Sequence, residues 1–172
     1  ESVIADHPTA NLARVDPDGR VHVAATDMHF PNGCVITPDG RTMIVAETLA
    51  MRLTAFDIGA DGTLTNRRVW AMLGMRAPDG ICLDANGHVW IANAIAPECL
   101  LIAPGGEIVA SVQTDQPCFA CMLGGPDRRT LFIATGNRTD PRVAPLLAKR
   151  LEMDVVAVQT RKAEILSRSS AW

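Results

Sequence analysis

The sequence predicts an all-β fold of propeller type, and three observations carry the prediction. Turn spellings recur along the chain: Asp16-Pro17-Asp18-Gly19, Pro38-Asp39-Gly40, Ala60-Asp61-Gly62, Asp84-Ala85-Asn86-Gly87 and Pro104-Gly105-Gly106. Gly and Pro there supply the backbone angles of tight turns, and Asn and Asp supply local hydrogen bonds. Short runs of β-formers lie between the turns, and many short strands at regular spacing point to a sandwich, barrel or propeller. The third observation, a repeat, decides among these. Pro31-Asn32-Gly33-Cys34-Val35-Ile36-Thr37-Pro38-Asp39-Gly40 is answered by Pro78-Asp79-Gly80-Ile81-Cys82-Leu83-Asp84-Ala85-Asn86-Gly87, an offset of 78 − 31 = 47 residues. Such a period marks a repeat architecture, and a unit of strand, turn, strand, loop, strand, turn, strand is one propeller blade of about 40–45 residues.

Taken in order, the strands Leu12-Ala13-Arg14-Val15 and Val21-His22-Val23-Ala24 read as the outer half of a blade. The first full unit then opens at Pro31, with Thr42-Met43-Ile44-Val45-Ala46 and Leu53-Thr54-Ala55-Phe56-Asp57 as following strands. The second opens at Pro78, with His88-Val89-Trp90-Ile91-Ala92 and Leu100-Leu101-Ile102. A degenerate third unit contains Cys121-Met122-Leu123-Gly124-Gly125-Pro126-Asp127-Arg128-Arg129-Thr130-Leu131-Phe132-Ile133-Ala134. Aligning its turn and second strand at an offset of 88 sets Ala120 where Asn32 and Asp79 stand in the other copies. A polar loop from Gly136, a short helix at Ala144–Lys149, and strands at Met153–Val158 and Ala163–Leu166 complete the expectation. The predicted organisation is one domain over residues 1–172, with blades at 1–25 (partial), 26–71, 72–114 and 115–170. That is about three and a half blades, fewer than the 4–8 of a closed ring.

Composition removes several function classes. The 172 residues are 48% hydrophobic, enough for a real core, and the net charge of −3 is made of interspersed acids and bases. No basic stripe suited to nucleic acid is present. No apolar run approaches the ~18 residues of a membrane span. The N-terminal Glu1-Ser2-Val3-Ile4-Ala5-Asp6 lacks the charged and apolar regions of a secretion signal. Five cysteines, an odd number, argue against a disulfide framework. Cys118-Phe119-Ala120-Cys121 has CxxC spacing, but no second CxxC or HxxxH completes a zinc set. The thiols therefore read as buried, inert strand residues in a cytoplasmic protein.

Asn32 and Asp79 are the one chemically distinct position of the matched copies, and both carry a side-chain oxygen. Asn and Asp between Pro and Gly often serve only as turn residues bonded to their own backbone. Further along, Glu47 and Asn93 end equivalent second strands and are candidates for contact with a substrate at the channel mouth. His29, just before Phe30-Pro31, is a weaker candidate at the rim. Trp70, Trp90 and Trp172 read as packing residues, and Arg67-Arg68 and Arg128-Arg129 as solvated turns.

Five elements in the right order, Phe30-Pro31-Asn32-Gly33, Val45-Ala46-Glu47-Thr48, Arg52-Leu53-Thr54-Ala55-Phe56-Asp57, Pro78-Asp79-Gly80-Ile81-Cys82-Leu83-Asp84 and Gly124-Gly125-Pro126-Asp127, make the chain resemble the gluconolactonase/regucalcin (senescence marker protein) family. The resemblance runs over roughly residues 8–166. It implies a six-bladed propeller with one divalent cation in its central channel, most often Ca²⁺ with Zn²⁺ or Mn²⁺ as alternatives, and hydrolysis of sugar lactones and related esters. Carried over by position, Asn32 and Asp79 are implied metal ligands, and Asp79 is also the implied general base. A Glu ligand and a further Asn of the family are expected upstream of residue 1, so the chain resembles the C-terminal part of a member. A hard cation takes six to eight oxygens, so a carboxylate and a carboxamide leave sites open for water and substrate. Two other readings stay open: the same site acting on organophosphates, as in the related diisopropyl-fluorophosphatase and paraoxonase folds, and a non-catalytic partial propeller serving as a binding or assembly module, with a second chain completing the ring.

Overall fold

The computed structural model describes residues 8–136 and 154–159. Every regular element among them is a strand: β1 (Ala10–Val15), β2 (Val21–Met28), β3 (Pro31–Ile36), β4 (Thr42–Glu47), β5 (Arg52–Ile58), β6 (Leu64–Met72), β7 (Pro78–Leu83), β8 (Val89–Asn93), β9 (Glu98–Ile102), β10 (Ile108–Gln113), β11 (Cys118–Gly124), β12 (Thr130–Thr135) and β13 (Asp154–Gln159). They form four antiparallel sheets: β1-β2, β3-β4-β5-β6, β7-β8-β9-β10 and β11-β12-β13. This is the partial propeller expected, with β1-β2 as an outer half-blade. β2 reaches Met28, across the expected border after residue 25. The expected helix at Ala144–Lys149 and strand at Ala163–Leu166 lie outside the described residues.

The hairpin turns form where spelled, and their aspartates do local work. Asp39 Oδ1 accepts from the Thr37 hydroxyl at 2.6 Å and from Arg41 N–H at 3.1 Å. Asp61 does the same for Thr63, and Asp84 accepts from the N–H groups of Asn86 and His88. The Thr37 and Arg41 bonds hold the Asp39 carboxyl below its ordinary range. Arg128-Arg129 also lies in a hairpin turn, where Arg129 N–H donates to Asp127. Arg67 and Arg68 do not lie in a turn. They sit within β6, because β6 continues the hairpin from β5 through Ala55↔Arg68 pairing.

The core lies between sheets. Ile44, Ala46, Leu53 and Ala55 of one full blade meet Ile81, Val89, Ile91, Leu100 and Ile102 of the next. The opposite face of that second blade, with Cys82, Trp90, Ala92, Cys99 and Leu101, meets Cys118, Cys121, Leu131 and Ile133. Strands β8 and β9 are thus covered on both faces, which is why Val89–Ala92 and Cys99–Ile102 read as unbroken apolar runs instead of alternating ones. A smaller cluster of Met28, Val45 and Phe56, joined by Leu12 and Ala25, fastens β1-β2 to the first full blade. Burying each large aliphatic side chain here contributes about 1.5–3 kcal/mol. All five cysteines are free; Cys34 is exposed, contrary to the expectation of burial, and the other four are buried.

Candidate functional site

The first strand of each blade, β3, β7 or β11, begins with the same irregularity. Pro31 pairs with Glu47 and Cys34 with Val45, so Asn32 and Gly33 together oppose Ala46. Pro78 pairs with Asn93 and Ile81 with Ile91, so Asp79 and Gly80 oppose Ala92. Such a two-against-one bulge bends the strand and re-aims its side chains. Asn32 and Asp79 therefore share one structural position, at the bulged starts of two neighbouring inner strands. Unlike the turn aspartates, they lie on strands and not at hairpin tips.

The third copy corrects an expectation. Cys118 pairs with Thr135 and Ala120 with Ala134, and Cys121 pairs with Ile133 just as Cys34 pairs with Val45. Counting back from Cys121, Ala120 stands at the glycine position, and Phe119, not Ala120, stands with Asn32 and Asp79. Leu123, which corresponds to Ile36, pairs with Leu131 across seven intervening residues, whereas Ile36 pairs with Met43 across six, so the third hairpin carries one more residue. An alignment made on the turn and second strand carries that extra residue into the inner strand.

Glycine sets the distance between these strands. A Cβ on Gly33 would fall 2.6 Å from Asp79 O and 2.7 Å from Ile81 N; one on Gly80 would fall 2.7 Å from Ala120 Cα and 2.9 Å from Phe119 O. The inner backbones are in van der Waals contact at the residue beside each candidate ligand, an approach that only glycine permits. Asn32 is exposed and Asp79 half-buried. Their side chains begin on adjoining strands in the same register, and a carboxamide with a carboxylate is an oxygen donor set suited to a hard divalent cation. The two fit as part of a coordination sphere. Among the described residues no cluster of three His, Cys, Asp or Glu side chains converges on one point, so these two oxygen donors are a partial set.

Glu47 and Asn93 hold equivalent places, both opposite the bulge-opening proline, and both are buried. Glu47 is 0% exposed and accepts from His29 N–H at 2.8 Å, from the Thr54 hydroxyl and from Arg52 Nε at 3.0 Å, with Arg67 at 3.4 Å. Burial pushes its carboxyl up, but the bonds from His29, Thr54 and Arg52 outweigh that and leave it below its ordinary value. Asn93 accepts from the N–H of Ala77 at 3.2 Å and of Ile95 at 3.3 Å, and donates to Glu98 at 2.9 Å. The structure thus makes both of them braces for the strand starts, with their polar atoms engaged inside the protein, instead of groups presented at a channel mouth. His29 is half-buried, and its backbone, through Glu47, ties the entry of β3. Trp90 is buried in the core, as expected.

Successive four-stranded antiparallel sheets, packed face to face with inner strands in backbone contact, define a β-propeller, here with oxygen-bearing residues at equivalent inner positions. The chain belongs to the SMP-30/Gluconolactonase/LRE-like family, whose model matches residues 2–137. It is similar to the 6-deoxy-6-sulfogluconolactonase of Pseudomonas putida, 30% identical over 81% of this chain and 50% of that protein. It is also similar to regucalcin of Danio rerio, 31% identical over 73% of this chain and 44% of that one. A solved gluconolactonase from Xanthomonas campestris superposes with a TM-score of 0.64 at 28% identity, covering 76% of this chain and 43% of that chain. The chain spans about half the length of the curated relatives it matches.

Proposed function

We propose that the chain forms part of the channel of a metal-dependent hydrolase acting on sugar lactones or related esters. The observation that carries the proposal is the shared bulge position of Asn32 and Asp79 on adjoining inner strands. The relatives named as lactonases support the substrate class. Asn32 Oδ1 and the Asp79 carboxylate would hold a divalent cation, Ca²⁺ first and Zn²⁺ or Mn²⁺ as alternatives. When bound, the cation supplies Lewis acidity toward the substrate carbonyl and the attacking water. Asp79 takes the proton of that water as it adds to the carbonyl carbon, and returns a proton to the departing alkoxide as the ring opens. Asn32, being neutral, provides an oxygen without adding charge that would repel the developing oxyanion. The free cysteines accord with the cytoplasmic setting proposed alongside.

The test is hydrolysis of glucono-δ-lactone by the full chain, followed by proton release. Activity that vanishes in chelator and returns with Ca²⁺ supports the reading. Positioned general bases contribute roughly 10²–10⁴-fold, so Asp79→Asn is expected to lose at least about 100-fold. Full activity in that variant refutes the mechanism.

A second reading, assembly with another chain, draws on one observation. Sheet β1-β2 has two strands where the next two sheets have four, and Val15, Val21 and Val23 on it are 62–66% exposed. Paired strands from a second copy would cover them. Sedimentation at micromolar concentration tests this, and a well-behaved monomer removes it.

A further inference from the structure

Thr48 follows β4 directly and is 9% exposed. Its hydroxyl donates to the carbonyl of Pro78 at 2.7 Å. A hydroxyl has one proton, so toward any other partner this oxygen can only accept. The partner it meets is the carboxamide of Asn32, with Nδ2 at 3.5 Å. That contact is long, yet it favours the amide orientation in which the nitrogen faces Thr48 and Oδ1 is left as the atom available to a ligand. Pro78 immediately precedes Asp79. One buried hydroxyl therefore connects the side chain of one candidate ligand to the backbone that carries the other, across the boundary between two blades. The same segment is gripped from its own blade as well, where Asn93 Oδ1 accepts from Ala77 N–H at 3.2 Å. The matching residue after β8, at 48 + 46 = 94, is Ala94, which has no hydroxyl. The relay thus belongs to the Asn32 blade and is not a general feature of the repeat.

We propose that Thr48 is a positioning residue: the relay Asn32 Nδ2–H to Thr48 Oγ1–H to Pro78 O presents Asn32 Oδ1 and sets the start of β7, so that Asn32 and Asp79 meet one divalent cation together. The inference rests on the cation reading above. Outer partners of this kind typically tune metal affinity by 10–100-fold.

The experiment uses the full chain as wild type, Thr48→Val, Thr48→Ala and Thr48→Ser. Two quantities are read: Ca²⁺ affinity by calorimetry, and the Asn32 side-chain amide resonances in the absence of metal. Val preserves shape without the hydroxyl, and Ala serves if Val does not fold. Ser keeps the hydroxyl. The expected result is Ca²⁺ binding weakened about tenfold or more in Val and Ala. Their Asn32 amide protons are displaced, and Ser stays within about twofold of wild type. Wild-type binding with unchanged affinity and amide resonances in Val or Ala overturns the role of Thr48 alone. A wild-type chain that binds none of Ca²⁺, Zn²⁺ or Mn²⁺ overturns the cation reading and this inference with it.

Discussion

Replacing Glu47 by Gln keeps the shape of the side chain and removes its charge. In the native protein Oε1 accepts from Thr54 and from Arg52, whose Nη2 lies 2.9 Å away, and Oε2 accepts from His29 N–H. A carboxamide has one acceptor oxygen, so either His29 N–H or the Thr54 and Arg52 donors would face an NH₂ group. Breaking a buried pair by removing one partner costs about 3–5 kcal/mol. The guanidinia of Arg52 and Arg67 are 26% and 35% exposed, so water relieves part of the loss. We therefore expect about 2–3 kcal/mol of destabilisation at pH 7, at or below the lower end of that range because of solvent screening. Urea titration followed by tryptophan fluorescence measures it. The pH dependence has a definite sign. The folded carboxyl lies below its ordinary value of 4.5, so its contribution is fully present above that value and is lost as pH falls through the folded one. The gap between wild type and Glu47→Gln should accordingly close on acidification. A gap under about 0.5 kcal/mol at pH 7, within the range of ordinary surface substitutions, or one that widens in acid, would refute the reasoning.

Other outcomes follow from the same geometry. Gly80→Ala is expected to lose about 1–3 kcal/mol in urea titration, because its Cβ would stand 2.7 Å from Ala120 Cα and overpack two backbones; unchanged stability would show that the strands yield freely. Phe119→Asp places a carboxylate in the shared bulge position of the third blade and should tighten Ca²⁺ binding in calorimetry, whereas Ala120→Asp should not. The native protein should show one fast-reacting thiol toward an aromatic disulfide reagent, Cys34, since the other four cysteines are buried and the neighbouring Cys121 thiol and burial together push Cys82 up. Prompt reaction of several thiols without denaturant would contradict that packing.

The propeller class was legible because turn residues announce themselves locally and the 47-residue echo of Pro31–Gly40 in Pro78–Gly87 reveals the period directly. The equivalence of Asn32 and Asp79 was legible for the same reason. What misled was length variation in the hairpins: one extra residue in the hairpin that joins Leu123 to Leu131, against the one that joins Ile36 to Met43, shifted Phe119 out of place, and only the ladder pairing restores it. Burial misled in the case of Glu47 and Asn93. A polar residue at a strand end looks solvent-facing in one dimension, while its partners come from other strands and strand entries, for Glu47 from Thr54, Arg52, Arg67 and the His29 backbone. Arg67 read as a turn residue because two arginines look solvated. In fact its guanidinium reaches Thr26 O and Asp27 O at 2.9 and 3.0 Å and stacks 6.0 Å above Phe56. Thr48 carried no signal of its own, since its importance depends on a carbonyl 30 residues away.

The contact of bare backbone at Gly33 and Gly80 separates two properties that usually drift together. The spacing of the candidate ligands is set by main chain against main chain, since a Cβ on Gly33 would meet only backbone atoms of Asp79, Gly80 and Ile81. Aliphatic residues between the sheets can therefore be exchanged over time, raising or lowering how firmly the protein holds together, while the separation of Asn32 and Asp79 stays where the glycines put it. Such a layout confines intolerance of substitution to the small residues that stand beside Asn32 and Asp79.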